Sequence, residues 1–195
     1  VSLYLSYSES FLPRSGERFK ALSATSARLD PDVFESTEIG MKVALNENIS
    51  LNAAYFDSEQ VRAERDNDTG ETSEVRGLTV DGFEIELKGR VVDNLNLAIA
   101  YSDLSGETSS GGIPREIPEH TLSAFVAWEV NEKLSMGLGL TQQGESKIKD
   151  NTPGLVLPEY TRVDLSAYYQ VAPNLSVQMN VENLMDELYF PHSHS

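Results

Sequence analysis

The chain has 195 residues, 39% of them apolar, and its 31 acidic and 15 basic side chains give a net charge of −16. Proteins that bind nucleic acid usually carry the opposite sign, so the charge argues against a nucleic-acid partner. Cysteine is absent, which excludes disulfides, thiol catalysis and cysteine-ligated zinc.

Alternating apolar and polar residues predict about nine β-strands. In chain order they cover 1–11, 33–45, 49–62, 75–91, 95–105, 119–130, 134–147, 159–171 and 175–190. Because the chain starts within the first of these runs, without an initiator Met or a signal peptide, we expect a piece of a larger protein. No apolar run is long enough for a transmembrane helix, although a barrel strand, whose residues face lipid only alternately, would give no such signal.

The connections between the predicted strands alternate between tight and long. Tight polar turns lie within 45–52, 92–98, 130–137 and 171–178, whereas the intervening loops at 12–32, 63–74, 106–118 and 148–158 are long and polar. This order is typical of an up-and-down antiparallel barrel with two different rims. Greek-key sandwiches rarely keep it.

Charged side chains recur on one face of the strands. In GFEIELKGRV at 82–91 and YTRVDLSAYYQV at 160–171 they alternate with apolar residues. Each such charge would cost about 2–4 kcal/mol against lipid at mid-bilayer, so this face must meet water. The residues predicted to line a wet lumen are Glu84, Glu86, Lys88, Arg90, Arg162 and Asp164.

Alternation alone does not separate a membrane barrel from a soluble β-sandwich with its apolar face inside. Two further features favour the barrel. The strands are long for a soluble protein, and aromatic residues gather near their ends, as in the interfacial girdles of barrels. An odd number of strands leaves open edges, so we expect the sheet to need strands from outside this chain.

Five ordered segments resemble the TonB-dependent outer-membrane receptors, with siderophore receptors the nearest branch. They are SYSESFLPRSG at 6–16, LDPDVFESTEIGMK at 29–42, VRGLTVDGFEIELKGRVVDNLNLAIAYS at 75–102, IPEHTLSAFVAWEV at 117–130 and NVENLMDELYF at 180–190. Met185 stands where the family usually has Phe.

The resemblance implies that residues 1–195 are the C-terminal portion of a 22-stranded transmembrane β-barrel, without its plug domain and final strand. It also implies a Gram-negative outer membrane, lipid around the barrel and import of a ferric siderophore, with the catecholate type as the class to test. The implied partners are the protein's own N-terminal plug and the TonB–ExbB–ExbD energy-transducing system.

Cations and aromatics in the long loops are candidates for binding such a ligand. An anionic, aromatic iron chelate suits cation–π and charge-assisted contacts, although ordinary solvated loops have the same composition. The candidates are Arg14, Arg18, Phe19, Arg62, Arg65 and Arg115.

No constellation for catalysis or metal binding is found in the sequence. There is no G-x-S-x-G elbow, and His192 and His194 are two imidazoles without a third ligand. We expect no enzyme activity and no resident cofactor, with the ferric siderophore as cargo. The alternatives are a soluble β-sandwich for binding or adhesion and an ungated porin-like barrel.

Overall fold

A computed structural model describes residues 1–12, 31–65, 72–149 and 154–193. Within these ranges the chain forms strands and connections, and no helix is long and apolar enough to cross a membrane. The eleven strands are β1 Ser2–Leu12, β2 Asp32–Ala44, β3 Ile49–Arg65, β4 Thr72–Val92, β5 Leu95–Thr108, β6 His120–Asn131, β7 Leu134–Gln143, β8 Ser146–Lys147, β9 Val156–Leu157, β10 Tyr160–Ala172 and β11 Leu175–Val181.

Nine strands form one antiparallel sheet in the order β1-β2-β3-β4-β5-β6-β7-β10-β11. Every strand pairs with its neighbour in sequence except where the two-stranded sheet β8-β9 interrupts the connection from β7 to β10. The predicted up-and-down order is therefore confirmed. Strands β1 and β11 each have one partner in the sheet, so the barrel is not closed by this chain.

Asparagine side chains explain two of the tight turns. The Oδ1 atom of Asn46 accepts the backbone N–H groups of Asn48 and Ile49, both at 2.8 Å. Asn131 Oδ1 accepts those of Lys133 and Leu134 at 2.9 and 3.0 Å. Such local bonds satisfy the backbone where the ladder ends, which is why asparagine favours turns.

The pairing registers place like residues side by side on each face. Lys42 pairs with Asn52, Asn52 with Glu86 and Glu86 with Ala100. The same row continues through Ser123, Thr141 and Arg162. We call this side of the sheet the polar face and the opposite side the apolar face. Since side chains alternate along a strand, each face keeps its character from the tight turns to about the level of Phe83. Nearer the long loops, the same side as the apolar face carries acidic residues such as Asp57 and Asp81.

The apolar face is not covered by a second sheet in the described part of the chain. Leu5, Ile39, Leu138 and Val177 remain 74%, 60%, 47% and 53% exposed. Leu157 and Tyr160 are the buried apolar residues among those described, whereas a sandwich would bury a whole row of them between its sheets. This arrangement contradicts the soluble-sandwich alternative.

Several predicted boundaries were wrong. The seventh strand ends at Gln143 rather than 147, because Ser146–Lys147 pairs separately with Val156–Leu157. The connection predicted at 63–74 is shorter, since β3 continues to Arg65 and β4 starts at Thr72. The final strand stops at Val181 instead of 190.

The early end of β11 has a local cause. Asn183 and Asp186 take left-handed backbone conformations with φ of 52° and 53°, which a strand cannot accommodate. The Asn183 side chain then accepts the N–H of Glu187 and donates to its carbonyl, both at 2.9 Å. A compact turn therefore replaces the strand predicted over 182–190.

Candidate functional site

A cavity of about 430 Å³ lies on the polar face across β1 to β6. Its charged and hydrogen-bonding lining residues include Tyr4, Glu38, Lys42, Asn52, Glu84 and Glu86. They come from four neighbouring strands, and the registers bring them together: Asn52 is opposite Glu86, and Ala54 is opposite Glu84.

Hydrogen bonds hold four of these six side chains. The Tyr4 hydroxyl donates to Glu38 Oε1 at 2.5 Å, and Asn52 Nδ2 donates to Glu86 Oε2 at 2.7 Å. Lys88 Nζ lies 2.9 Å from the same Glu86 oxygen, and Lys42 Nζ lies 5.3 Å from the centre of the Tyr4 ring. Glu84 makes no hydrogen bond or ion pair with the described residues.

The balance of charge in the cavity is acidic. Glu38, Glu84 and Glu86 face Lys42 within the lining, and Lys88 is engaged by Glu86 at the edge. An unpaired carboxylate beside two hydrogen-bonded ones favours a cationic partner. The cavity can therefore receive a lysine or arginine side chain.

A second cavity of about 490 Å³ lies on the polar face between β6 and β11. Arg162 and Asp164 line it together with Phe125, Gly137 and Gly139. Arg162 Nη2 is 2.9 Å from Asp164 Oδ2, and Arg162 Nη1 donates to the Tyr189 hydroxyl at 3.2 Å. A Cβ atom at Gly137 would collide with Ser166 Oγ and meet Phe125 Cζ at 3.1 Å, so the glycine leaves room for both side chains.

The six residues predicted to line a lumen thus share one face but form three groups. Glu84, Glu86 and Lys88 belong to the first cavity and its edge, and Arg162 and Asp164 to the second. Arg90 lies at the tight-turn end, where it donates to Asn48 Oδ1 at 3.4 Å. The structure does not bring Arg90 together with the other five.

Most of the predicted ligand-binding residues lie outside the part of the chain that the structure describes. Arg14, Arg18 and Phe19 lie outside the described residues, as do the side chains of Arg62 and Arg65. Arg115 is exposed in the connection between β5 and β6, where its backbone forms an isolated bridge with Lys147. It therefore lies in one of the long connections, away from both cavities.

Sequence reasoning missed Tyr4, Asn52 and Tyr189 as parts of these groups. The alternation within β1 and β3 assigns a face to Tyr4 and Asn52 but not their neighbours, because those depend on the register of pairing. The sequence predicts a strand through Tyr189, and no pattern in it indicates a contact between Tyr189 and Arg162. His194 lies outside the described residues, which hold no cluster of three metal-ligating side chains.

Aromatic residues border the apolar face at both ends. At the long-loop end Phe83 and Tyr101 lie 5.8 Å apart between ring centres, and Tyr101 stacks near His120 at 6.4 Å. At the tight-turn end Trp128 and Tyr169 are 43% and 47% exposed. Two aromatic borders around an exposed apolar band match the girdles of membrane barrels.

Comparison with known proteins gives one family over nearly the whole chain. Residues 1–184 match the family model described as TonB dependent receptor-like, beta-barrel. The chain is 27% identical to the protein named "Probable TonB-dependent siderophore receptor PiuA" of Acinetobacter baumannii, over 97% of this chain and 28% of that protein. It is 26% identical to the "Metal-pseudopaline receptor CntO" of Pseudomonas aeruginosa, over 100% of this chain and 29% of that protein.

The fold also matches a solved structure. The ferric-catecholate import receptor Fiu of Escherichia coli K12, in its closed form, superposes with a TM-score of 0.80 over 97% of this chain and 29% of that chain. At 24% identity this likeness concerns the fold alone. The chain spans less than a third of the proteins that it matches.

Proposed function

Because the chain belongs to the TonB-dependent receptor β-barrel family, we propose that it is part of a receptor that imports ferric siderophores by plug-gated, energy-coupled transport. It is a strand-built segment of a Gram-negative outer-membrane barrel. The cargo is the ferric siderophore, and the protein carries out no bond chemistry on it and needs no resident cofactor. The whole receptor would work with its own plug domain, with the TonB–ExbB–ExbD system and with outer-membrane lipid.

The separation of the two faces is the observation that supports this proposal best. An exposed apolar band bordered by aromatics suits lipid, and a continuous polar face suits a water-filled interior. The named relatives receive siderophores or a metal complex, which supports the same class of cargo here. A catecholate is the first siderophore class to test.

The first cavity supports contact with a plug inside the barrel. Glu84 is unpaired among the described residues and lies beside Glu38 and Glu86, so a cationic plug side chain would neutralise the excess charge. We propose that Glu84, Glu86 and Lys88 brace the plug through such contacts. Arg162 and Asp164 also line the polar face, but each already has partners in this chain.

Uptake by cells tests the proposed function. A Gram-negative strain that lacks its own catecholate receptors should take up iron-55 as a ferric catecholate when it expresses the full-length protein containing this chain. Uptake should disappear when TonB is deleted. Uptake that persists without TonB would favour an ungated pore, and uptake of hydroxamate but not catecholate complexes would change the ligand class.

Plug bracing is tested by the denaturant concentration that releases the plug from the purified full-length protein. We expect Glu84→Gln to lower this concentration, because a charged contact within the lumen is lost. Ser123→Ala, on the same cavity wall, is the matched control. Equal midpoints for the wild type and Glu84→Gln would remove Glu84 from the proposed contact.

A further inference from the structure

The segment that follows β11, Glu182–Ser193, continues in the direction of β11 and crosses the polar face of β10 towards the long loops. Its path is fixed at the start by two backbone donors. The N–H of Asn183 bonds to Asp164 Oδ1 at 2.8 Å, and the N–H of Leu184 bonds to the carbonyl of Val163 at 2.7 Å. We call this segment the strap.

The middle of the strap is anchored through Tyr189. Its hydroxyl accepts a hydrogen bond from Arg162 at 3.2 Å, and its ring lies 4.9 Å from the ring of Tyr160 between centres. Arg162 is itself held by Asp164 at 2.9 Å. One ion pair on β10 therefore positions two points of the strap: Asp164 holds its beginning and Arg162 holds its middle.

The far end of the strap reaches a different part of the molecule. The N–H and hydroxyl of Ser193 both bond to Glu116 Oε1, at 3.2 and 2.8 Å. Glu116 belongs to the connection between β5 and β6, 77 positions earlier in the chain. The strap thus joins β10 to a long loop with which β10 does not pair.

That loop is part of a hydrogen-bonded layer at the long-loop end of the sheet. The N–H of Glu116 bonds to the carbonyl of Lys147 at 2.8 Å, and the N–H of Glu119 bonds to that of Glu145 at 3.2 Å. Ile148 in turn donates to the carbonyl of Leu155 at 3.1 Å. We define the loop layer as residues 109–119, 144–149 and 154–159.

Burial is concentrated where the loop layer meets β10. Ser146 and Leu157 of the loop layer and Tyr160 of β10 are 3%, 7% and 8% exposed. Tyr160 is the first residue of β10, and its ring packs against the ring of Tyr189. Removing Tyr189 would therefore uncover the point where the loop layer meets the sheet.

We propose that Glu182–Ser193 is a strap that holds the loop layer in one arrangement, with Arg162 and Asp164 as its positioning pair. The strap makes this side of the long-loop end a preformed wall. Under the proposed function, that wall stands at the extracellular entrance for the ligand. Ligand-driven loop movement would then occur elsewhere around the entrance.

Hydrogen exchange of the purified full-length protein in detergent, without ligand, tests the strap directly. In Tyr189→Ala we expect the amides of Leu184, Glu116 and Glu119 to exchange about tenfold faster, which corresponds to a loss of about 1.4 kcal/mol in opening free energy. The matched control is Tyr168→Ala, an exposed tyrosine on the same face of β10 that bonds only to Gln170 among the described residues. It should leave these amides unchanged.

Two milder variants separate positioning from ring packing. Tyr189→Phe keeps the ring on Tyr160 but loses the acceptor for Arg162, and Arg162→Lys keeps a charge for Asp164 but loses the planar fork. Both should accelerate the same amides by about threefold, the effect expected when one hydrogen bond is lost. Tyr189→Ala with faster exchange at Leu184 alone, and unchanged exchange at Glu116 and Glu119, would overturn the proposal.

Transport measurements keep this proposal distinct from the proposed function. If the exchange pattern holds but the cells import no ferric siderophore, the strap stands and the proposed function fails. If import occurs but Tyr189→Ala leaves the exchange rates of the Glu116 and Glu119 amides unchanged, the proposed function stands and the strap proposal fails.

Discussion

Close approaches of backbone to backbone determine where single residues matter most. Gly89 has φ of 151° and lies opposite the turn after β2, so a Cβ atom there would collide with the carbonyl oxygen of Asn48. A backbone oxygen cannot move away from an added Cβ atom as the end of a flexible side chain can. Gly139 differs, because its nearest neighbours would be at ordinary contact distance, from 3.7 Å.

These two glycines give a matched prediction. Gly89→Ala should lower the free energy of unfolding by about 1–3 kcal/mol, because the backbone must shift or remain strained. Gly139→Ala should change it by less than about 0.5 kcal/mol. The urea midpoint of the refolded full-length barrel in detergent measures both. Equal midpoints for the two variants would contradict the geometry at Gly89.

At the scale of the strand, alternation assigns the residues between the two aromatic borders to lipid or to water. On β7, Leu138 is on the apolar face and 47% exposed, whereas Ser135 is on the polar face opposite Glu129 and Tyr168. An arginine at position 138 must enter hydrocarbon. An arginine at position 135 meets water and the acidic side chain of Glu129.

Leu138→Arg should therefore destabilise the folded barrel by about 2–4 kcal/mol, and Ser135→Arg should be tolerated. The fraction of protein that keeps its folded mobility on unheated denaturing gels reports the difference in assembled barrel. Similar losses of folded protein in both variants would mean that the two faces of β7 are not distinguished by the membrane.

The strands show how far sequence reasoning reaches. Alternation predicted the nine strands of the large sheet and the face of Glu84, Lys88 and Asp164, because period two is a local property. The prediction failed at 182–190, where Asn183 forms a turn and the apolar residues lie side by side, as in Leu184–Met185, rather than alternating. Contacts such as Asn52 with Glu86 or Arg162 with Tyr189 depend on register and on the path of the segment after β11, which no local pattern encodes.

At the scale of the molecule, the sheet has two open edges and one uncovered apolar face. Leu3 and Leu5 on β1, and Val177 and Met179 on β11, are all more than half exposed at those edges. Unpaired edge strands with apolar side chains associate readily. The isolated 195-residue chain should therefore aggregate in buffer and stay dispersed only in detergent. A monodisperse monomer on size-exclusion chromatography in buffer would contradict this expectation.

The accessibility of spin labels along one strand tests the central claim most directly. These 195 residues contain no cysteine, so single cysteines can be placed at each position from 134 to 141 of the full-length protein in lipid, once any cysteine elsewhere in it has been replaced. We predict that labels at 134, 136, 138 and 140 are accessible to oxygen dissolved in the bilayer, and that labels at 135, 137, 139 and 141 are accessible to a water-soluble nickel chelate. A pattern without period two, or with the two sets exchanged, would contradict a barrel whose apolar face meets lipid and whose polar face lines a wet interior.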